Sequence, residues 1–270
     1  MKINEPQILL TNDDGILSPG LWAAAEALAT LGFVSVAAPR EQSSGAGRSL
    51  PSTSSGSLRP EEVKVNGKTW TAYAVGGSPA QAVLHGIYEI TPRKPDVVVS
   101  GINYGLNVGY GITVSGTVGA ALEAASSGIP ALAISLETDS KYHLSYSTEI
   151  DFSTAAYFTA YFAQLLLERD LPDDVHVLKV EIPATATPNT PWRMTRISSV
   201  KYYTPVPPQR QSHNDEGKMG YRVADDWDTA PEASDIHAVH IQKVVSVTPL
   251  SLDLTSRVNL EDLEYALKAN

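Results

Sequence analysis

The chain contains no cysteine. That absence removes thiol nucleophiles, thiolate metal sites and disulfides together, and leaves oxygen and imidazole chemistry. Long apolar runs are missing as well, since nothing approaches the roughly 18 consecutive apolar residues of a membrane-spanning helix. The N-terminal Met1-Lys2-Ile3-Asn4-Glu5-Pro6 places Glu and Pro where a signal peptide carries its apolar segment. A soluble, cytoplasmic protein with no membrane partner is expected. Positive charge is scarce, with 20 basic against 30 acidic residues and a formal net charge of −10. Duplex binding depends on clustered Lys and Arg, so a nucleic-acid polymer is a poor partner, whereas a local basic spot can still hold a small phosphate. No Walker A sequence and no G-x-G-x-x-G fingerprint occur, which argues against an NTPase or a dinucleotide enzyme. The G-x-S-x-G signature of a hydrolase triad is absent too. The six histidines show no metal-ligand spacing on a helix; His237 and His240 stand three apart before a strand, and His85 sits within a helical pattern. Each reads as a surface or core-edge residue, and Arg193 and Arg196 as solvated or structural.

What is present is an ordinary globular balance over 270 residues, 43% hydrophobic and 19% charged. That suffices for one large domain, or one domain with a smaller appendage. Gln7 to Thr11 reads as a buried strand. Ser18-Pro19 offers a cap and a proline at the first helical position, followed by helical spacing from Leu21 to Leu31, with Gly32 as the stop. Strands are predicted at Phe33 to Ala38, Asp96 to Ser100, Ala131 to Leu136 and Val175 to Ile182, with a β excursion between Leu50 and Val75. Helices are predicted from Ser78-Pro79 to about Ile87, over Thr117 to Ser126 and over Phe152 to Glu168. This alternation predicts an α/β fold: a mainly parallel sheet with helices on both faces. Beyond Pro183 the composition turns to Pro, Thr and charge. Residues 1–183 therefore read as the α/β core, and 184–270 as a β-rich arm, a returning strand at Val244 to Val247 and a terminal helix capped by Asn259. Lys201-Tyr202-Tyr203 and Gly220-Tyr221-Arg222-Val223 are candidate strands of the arm.

In open α/β sheets ligands bind beyond the carboxyl ends of the strands. Three such ends are followed by small, polar, flexible residues: Asn12-Asp13-Asp14-Gly15, Pro39 to Ser49, and Gly101 to Gly109. Adjacent Asp side chains would point to opposite faces in a regular strand, but a turn opened by Gly15 lets both converge. Converging carboxylates repel unless a cation lies between them, and a hard divalent ion with oxygen ligands is the natural filling. Ser44 and Asn103 can complete the set with neutral oxygens. Taken alone, Asp-Asp-Gly is equally an ordinary surface turn with a helix cap; the two companion loops on one edge favour the cation site. Ser115-Gly116-Thr117 opens a helix and offers free N–H groups to a phosphate, although a plain N-cap would look the same. Gly45-Ala46-Gly47-Arg48 is a second, weaker anion-wrapping candidate.

Taken in order, these segments resemble the survival protein E (SurE) nucleotidases over nearly the whole chain. The likeness is carried by Ile8 to Gly15, Ala38-Pro39 leading to Ser44-Gly45-Ala46, Gly77-Ser78-Pro79-Ala80, Val99 to Asn103, Ser115-Gly116-Thr117-Val118 and Val245 to Leu250. The resemblance implies a Rossmann-like core with a β-rich C-terminal arm, and homodimers or homotetramers assembled through exchanged C-terminal elements. It implies hydrolysis of nucleoside 5′- and 3′-monophosphates, in some members of short polyphosphate, with one Mg²⁺ or Mn²⁺ per subunit. Its metal ligands fall on Asp13, Asp14, Ser44 and Asn103; Asn12, Gly45, Asn107 and Ser115-Gly116-Thr117 match its phosphate pocket. On that reading Asp13 and Asp14 carry the chemistry, Asp13 by preference handling the proton of an attacking water. Direct attack by Asp13 is the alternative mechanism, and a non-catalytic nucleotide or metal sensor the alternative function. Lys243-Val244 replaces the family's usual Gly-Tyr, Gln81-Ala82 its Asp-Cys, and Pro205 to Ala233 matches only loosely.

Overall fold

Aliphatic runs without polar alternation must be covered on both faces, and the chain has several. The computed structural model describes residues 5–224 and 227–269; Met1 to Asn4, part of the N-terminal segment read above, lie outside the described residues. The first half runs β1 (Gln7–Thr11), α1 (Pro19–Leu28), β2 (Phe33–Pro39), β3 (Leu58–Val65), β4 (Lys68–Val75), α2 (Pro79–His85) and β5 (Val97–Tyr104). There follow α3 (Gly116–Ser126), β6 (Ala131–Leu136), α4 (Ser153–Glu168), β7 (Val177–Ile182) and β8 (Trp192–Met194). The remainder is β9 (Tyr203–Val206), β10 (Gly220–Val223), α5 (Asp235–His240), β11 (Val245–Leu250) and α6 (Leu260–Lys268). Strands β1, β5, β6 and β7 are buried at every residue.

The main sheet has nine strands in the order β3-β4-β2-β1-β5-β6-β7-β11-β8. Pairing is parallel from β4 through β7, while β3 and β11 enter antiparallel. From β1 the chain builds outward through β2, then crosses back to lay β5 on the other side of β1. Helices α2 and α3 therefore fall on the face opposite α1, whereas α4, between β6 and β7, crosses on the α1 face and makes that connection of the other hand. Side chains alternate accordingly along β1: Ile8 and Leu10 pack with α1 and α4, Leu9 with α2 and α3. The carboxyl ends of β1 and β5, joined in register at Thr11 and Ser100, form the topological switch point where such sheets open a crevice.

The expected alternation is present, with differences at the element ends. β5 runs four residues past Ser100, because the register shifts between Ser100 and Asn103 and Asn103 pairs again with Ser135. Asn103 is thus held by the sheet rather than by a loop. The excursion after Leu50 becomes a β3–β4 hairpin, turned by Asn66 (φ 46°) and Gly67 (φ 81°) as the turn type of two-residue hairpins requires. Its second strand joins β2, so the hairpin forms one edge of the main sheet. α1 ends at Leu28, short of Gly32. β8 and α5, of three and six residues, are too short to leave a periodic signal in sequence.

Beyond β8 the arm pairs β9 with β10 as a separate antiparallel hairpin, and β11 returns beside β7. Asn259 caps α6 through the N–H groups of Glu261 and Asp262, and no residue of that helix is buried. Among the described residues no helix is long and apolar enough to cross a membrane. On α4, Phe162 is 1% exposed and meets Trp192 edge-on at 5.6 Å. Phe162→Ala is expected to lower unfolding free energy by about 3–5 kcal/mol through lost burial and a residual cavity. Urea denaturation measures it; an unchanged midpoint would contradict the packing described.

Candidate active site

The acidic turn is built by its own side chains. Asn12 Nδ2 donates to the Gly15 carbonyl and Asn12 Oδ1 accepts the Gly15 N–H, both at 3.1 Å, which closes an Asx-type turn. Gly15 has φ +100°, a conformation that L side chains rarely adopt. The loop after β2 is tied to this turn by the Ser43 N–H on the Asp13 carbonyl at 2.7 Å. The turn presents two buried carboxylates, Asp13 at 5% and Asp14 at 2% exposure.

Each carboxylate is gripped by neutral donors from a different element. Thr117 Oγ1 donates to Asp13 Oδ1 at 2.6 Å, and the N–H groups of Gly116 and Thr117 at the start of α3 add to it. A Cβ on Gly116 would stand 2.6 Å from Asp13 Cβ, so this close approach needs glycine. Asp14 accepts the Tyr104 N–H at 3.2 Å and Gln42 Nε2 at 3.1 Å; the same Gln42 amide also donates to the His143 carbonyl at 2.6 Å. Burial raises the Asp13 carboxyl above the ordinary range, and the Thr117 and Gly116 donors offset only part of that. Burial and the Asp13 charge together raise Asp14 further.

Neither carboxylate has a Lys, Arg or His ion-pair partner among the described residues. Nor does a third acidic or histidine side chain join them there. Two buried, mutually repelling carboxylates without a counter-charge fit a hard divalent cation completed by neutral oxygens. Asn103 could supply one, because its Nδ2 is spent on the Gly105 carbonyl at 2.7 Å and the Tyr104 carbonyl at 3.3 Å, which leaves the amide oxygen as the free end. Ser44 lies exposed at the mouth of the same cleft.

That cleft measures about 760 Å³ and brings Asp13, Asp14, Ser44, Gly45, Asn103, Asn107 and Ser115 together on its wall. Asn12, Gly116 and Thr117 are buried behind the wall. Asn12 shapes the turn, and Thr117 spends its hydroxyl on Asp13. Ser115 lines the cleft and also caps α3, accepting the Val118 N–H at 3.1 Å, so the capping role left open by the sequence is filled. Asn107 Nδ2 donates to Ser135 Oγ at 3.0 Å.

The cleft wall is also aromatic, and sequence reasoning did not find it. Tyr221 of β10 lies beside His143, ring centroids 6.2 Å apart and planes within 17°, while Tyr203 of β9 meets His143 edge-on. Lys201, Tyr110 and Met219 line the same cleft. Burial lowers the His143 pKa, so the ring is neutral near pH 7. Donation from Nε2 to the Thr138 carbonyl at 3.3 Å would leave Nδ1 to accept the Tyr221 hydroxyl at 3.0 Å. The available signal was the strand pattern around Tyr203 and Tyr221, aromatic residues on an otherwise polar arm; for His143 no local pattern exists.

A doubly wound α/β sheet with an acidic cleft at its switch point places the chain in the class that binds small polar ligands at the carboxyl ends of its strands. Within that class it belongs to the SurE family, whose model, described as survival protein SurE, matches residues 8–204. It is 41% identical to the 5′-nucleotidase SurE of Methanocella arvoryzae over 98% of either chain. Identity to the 5′-nucleotidase SurE of Thermococcus gammatolerans is 40%, covering 97% of this chain and 96% of that one. The crystal structure of the SurE protein from Aquifex aeolicus matches with a TM-score of 0.74 at 34% identity, covering 97% of this chain and all of that one. The family resemblance read from the motifs is thus a family membership.

The raised carboxyls have a consequence for stability. Because the folded pKa values of Asp13 and Asp14 lie above their ordinary 3.8, the fold favours the protonated forms. Their stabilising contribution is present below that value and is lost as pH rises through the raised ones. In EDTA, Asp14→Asn is therefore expected to be more stable relative to the native chain at pH 8 than at pH 5, as read by urea unfolding. An identical difference at both pH values would contradict the electrostatics described.

Proposed function

We propose that the chain is a metal-dependent phosphomonoesterase that hydrolyses nucleoside 5′- and 3′-monophosphates, and also short polyphosphate. The observation that carries this reading is one cleft lined both by buried carboxylates lacking a counter-charge and by the aromatic rings of Tyr203, His143 and Tyr221. A phosphoryl group with a cation suits the first set, a nucleobase the second. The relatives named 5′-nucleotidase support the nucleotide as substrate.

Asp13, Asp14, Ser44 and Asn103 would hold the cation. When bound, Mg²⁺ or Mn²⁺ supplies positive charge to the phosphoryl oxygens. Asp14, fixed by the Tyr104 N–H and Gln42, keeps its carboxylate oriented without a rotamer search. Asp13, fixed by Thr117, orients a water and accepts its proton. The water oxygen would bond to phosphorus as the bond to the nucleoside oxygen breaks; that oxygen takes its proton from bulk water, and Asp13 later returns its own to solvent. Gly45 and Ser115 line the same wall and would border the phosphoryl group, while Asn107, its Nδ2 already held by Ser135 and Thr117, would shape the pocket rather than donate to the phosphate.

Self-association belongs to the same reading. Leu254, Val258, Leu260, Leu263 and Leu267 of the C-terminal segment are between 44% and 91% exposed, more apolar surface than a solitary chain leaves on one element. A second copy of the chain is its proposed cover.

Phosphate release from a panel of nucleoside monophosphates and p-nitrophenyl phosphate, with Mn²⁺ and then with EDTA, tests the activity. Metal-dependent release from at least one nucleotide is expected; none from any would point to a binding protein on the same fold. Asp13→Asn is expected to lower kcat by a factor on the order of 10²–10⁴, the usual weight of a general base. Ser44→Ala should raise the Mn²⁺ concentration for half-maximal rate while leaving the saturated rate near that of the native chain. Unchanged metal dependence would remove Ser44 from the ligand set.

A further inference from the structure

β7 is a central strand with an unusual interior. Its sequence, Val-Leu-Lys-Val-Glu-Ile, places Lys179 and Glu181 two residues apart on one face, and both are fully buried. Asp235, the first residue of α5, is also fully buried and meets Lys179 Nζ through Oδ2 at 3.1 Å, with Glu181 Oε1 at 3.4 Å on the other side. Buried charges of this kind seldom add stability over an apolar packing of the same volume, so the question is what the cluster holds.

It holds the phosphate-side wall of the cleft. Glu181 Oε2 accepts the Asn107 N–H at 2.8 Å, and Lys179 Nζ donates to the Asn107 carbonyl at 2.9 Å. Asp235 accepts the Gly109 N–H at 3.1 Å and the Ser198 N–H at 2.9 Å. The side chain of Asn107 is set as well: its Nδ2 reaches Ser135 Oγ at 3.0 Å and Thr117 Oγ1 at 3.4 Å, while Ser135 in turn donates to Glu181 Oε1 at 3.4 Å. Thr117 is the donor on Asp13. A continuous chain of contacts thus runs from Asp235 through Lys179, Glu181, Ser135, Asn107 and Thr117 to Asp13.

We propose that Lys179, Glu181 and Asp235 are positioning residues for phosphoryl transfer, clamping the Asn107–Gly109 backbone so that Asn107 and Thr117 hold Asp13 in its working orientation. The inference rests on the phosphomonoesterase reading for its catalytic half only. None of the three charged residues lies on the cleft wall, so their effect passes through Asn107.

Glu181→Gln keeps the shape and leaves Lys179 paired with Asp235. Hydrogen–deuterium exchange over Leu106 to Gly109 reads the clamp without any activity, and exchange there is expected to quicken by about tenfold or more. With the best nucleotide of the panel, kcat is expected to fall by about tenfold with KM changed less than about threefold, the signature of an interaction used in the transition state. In the double-mutant cycle, adding Glu181→Gln to Asn107→Ala should cost little more than Asn107→Ala alone. A folded Glu181→Gln with native exchange over this segment overturns the clamp. Quickened exchange with native kcat overturns the catalytic half, as does full additivity in the cycle. Should Glu181→Gln fail to fold, Ser135→Ala is decided by the same two readouts, with changes of about threefold expected from the loss of one neutral hydrogen bond. If the native chain releases no phosphate from any substrate, the activity reading fails while exchange still decides the clamp.

Discussion

Asp13 and Asp14 sit side by side at the end of β1, both buried, and the groups that face them are a threonine hydroxyl, a glutamine amide and main-chain N–H groups. Neutral donors orient a carboxylate but do not cancel its charge; burial raises both carboxyls and the Asp13 charge raises Asp14 further. Much of the surrounding structure serves that arrangement. Crossing back from β4 to β5 opens the switch point, the shifted register of β5 delivers Asn103 and the Tyr104 N–H, and the start of α3 closes on Asp13 where Gly116 leaves room. On the proposed reading a cation between the two carboxylates would convert a destabilising pair into a site. The same demand explains why the site draws on β1, the loop after β2, β5 and α3 rather than on a single element.

A good part of this was legible in the sequence, for a definite reason. Polar residues following an apolar run mark strand ends, and in a parallel α/β sheet strand ends share an edge; that alone placed Asp13, Asp14, Ser44 and Asn103 near one another. The family likeness rested on the same segments and is met by the matched residues 8–204. Position on an edge, however, says nothing of which atom faces which. Thr117 read as a phosphate donor or a cap, and its hydroxyl lies on Asp13. Asn12 read as part of the phosphate pocket, and its amide is consumed in closing the turn. His143, Gln42 and Glu181 came from no local pattern because their partners are 101, 28 and 74 residues away. Contacts of that separation are set by topology, which no window of sequence contains.

The arm shows the same limit from another side. Its candidate strands around Tyr203 and Tyr221 were visible as short β-prone stretches, but their pairing antiparallel to each other, and the delivery of both tyrosines to one histidine, required the hairpin to fold back over the cleft. Of the aromatic wall, His143 and Tyr203 fall within the matched residues 8–204 and Tyr221 beyond them. On the proposed reading chemistry and recognition draw on different parts of the chain, the carboxylates on the sheet edge and two of the three aromatic rings on the arm.

The central claim is that the buried Asp13–Asp14 pair is a cation site. Isothermal titration calorimetry of Mn²⁺ into the metal-stripped protein, repeated in buffers of different ionisation enthalpy, tests it most directly. The account predicts one ion per chain, released protons that increase in number as the pH is lowered toward the carboxyl range, and loss of the binding in Asp14→Asn. Absence of saturable binding, or equal binding by Asp14→Asn, would contradict it.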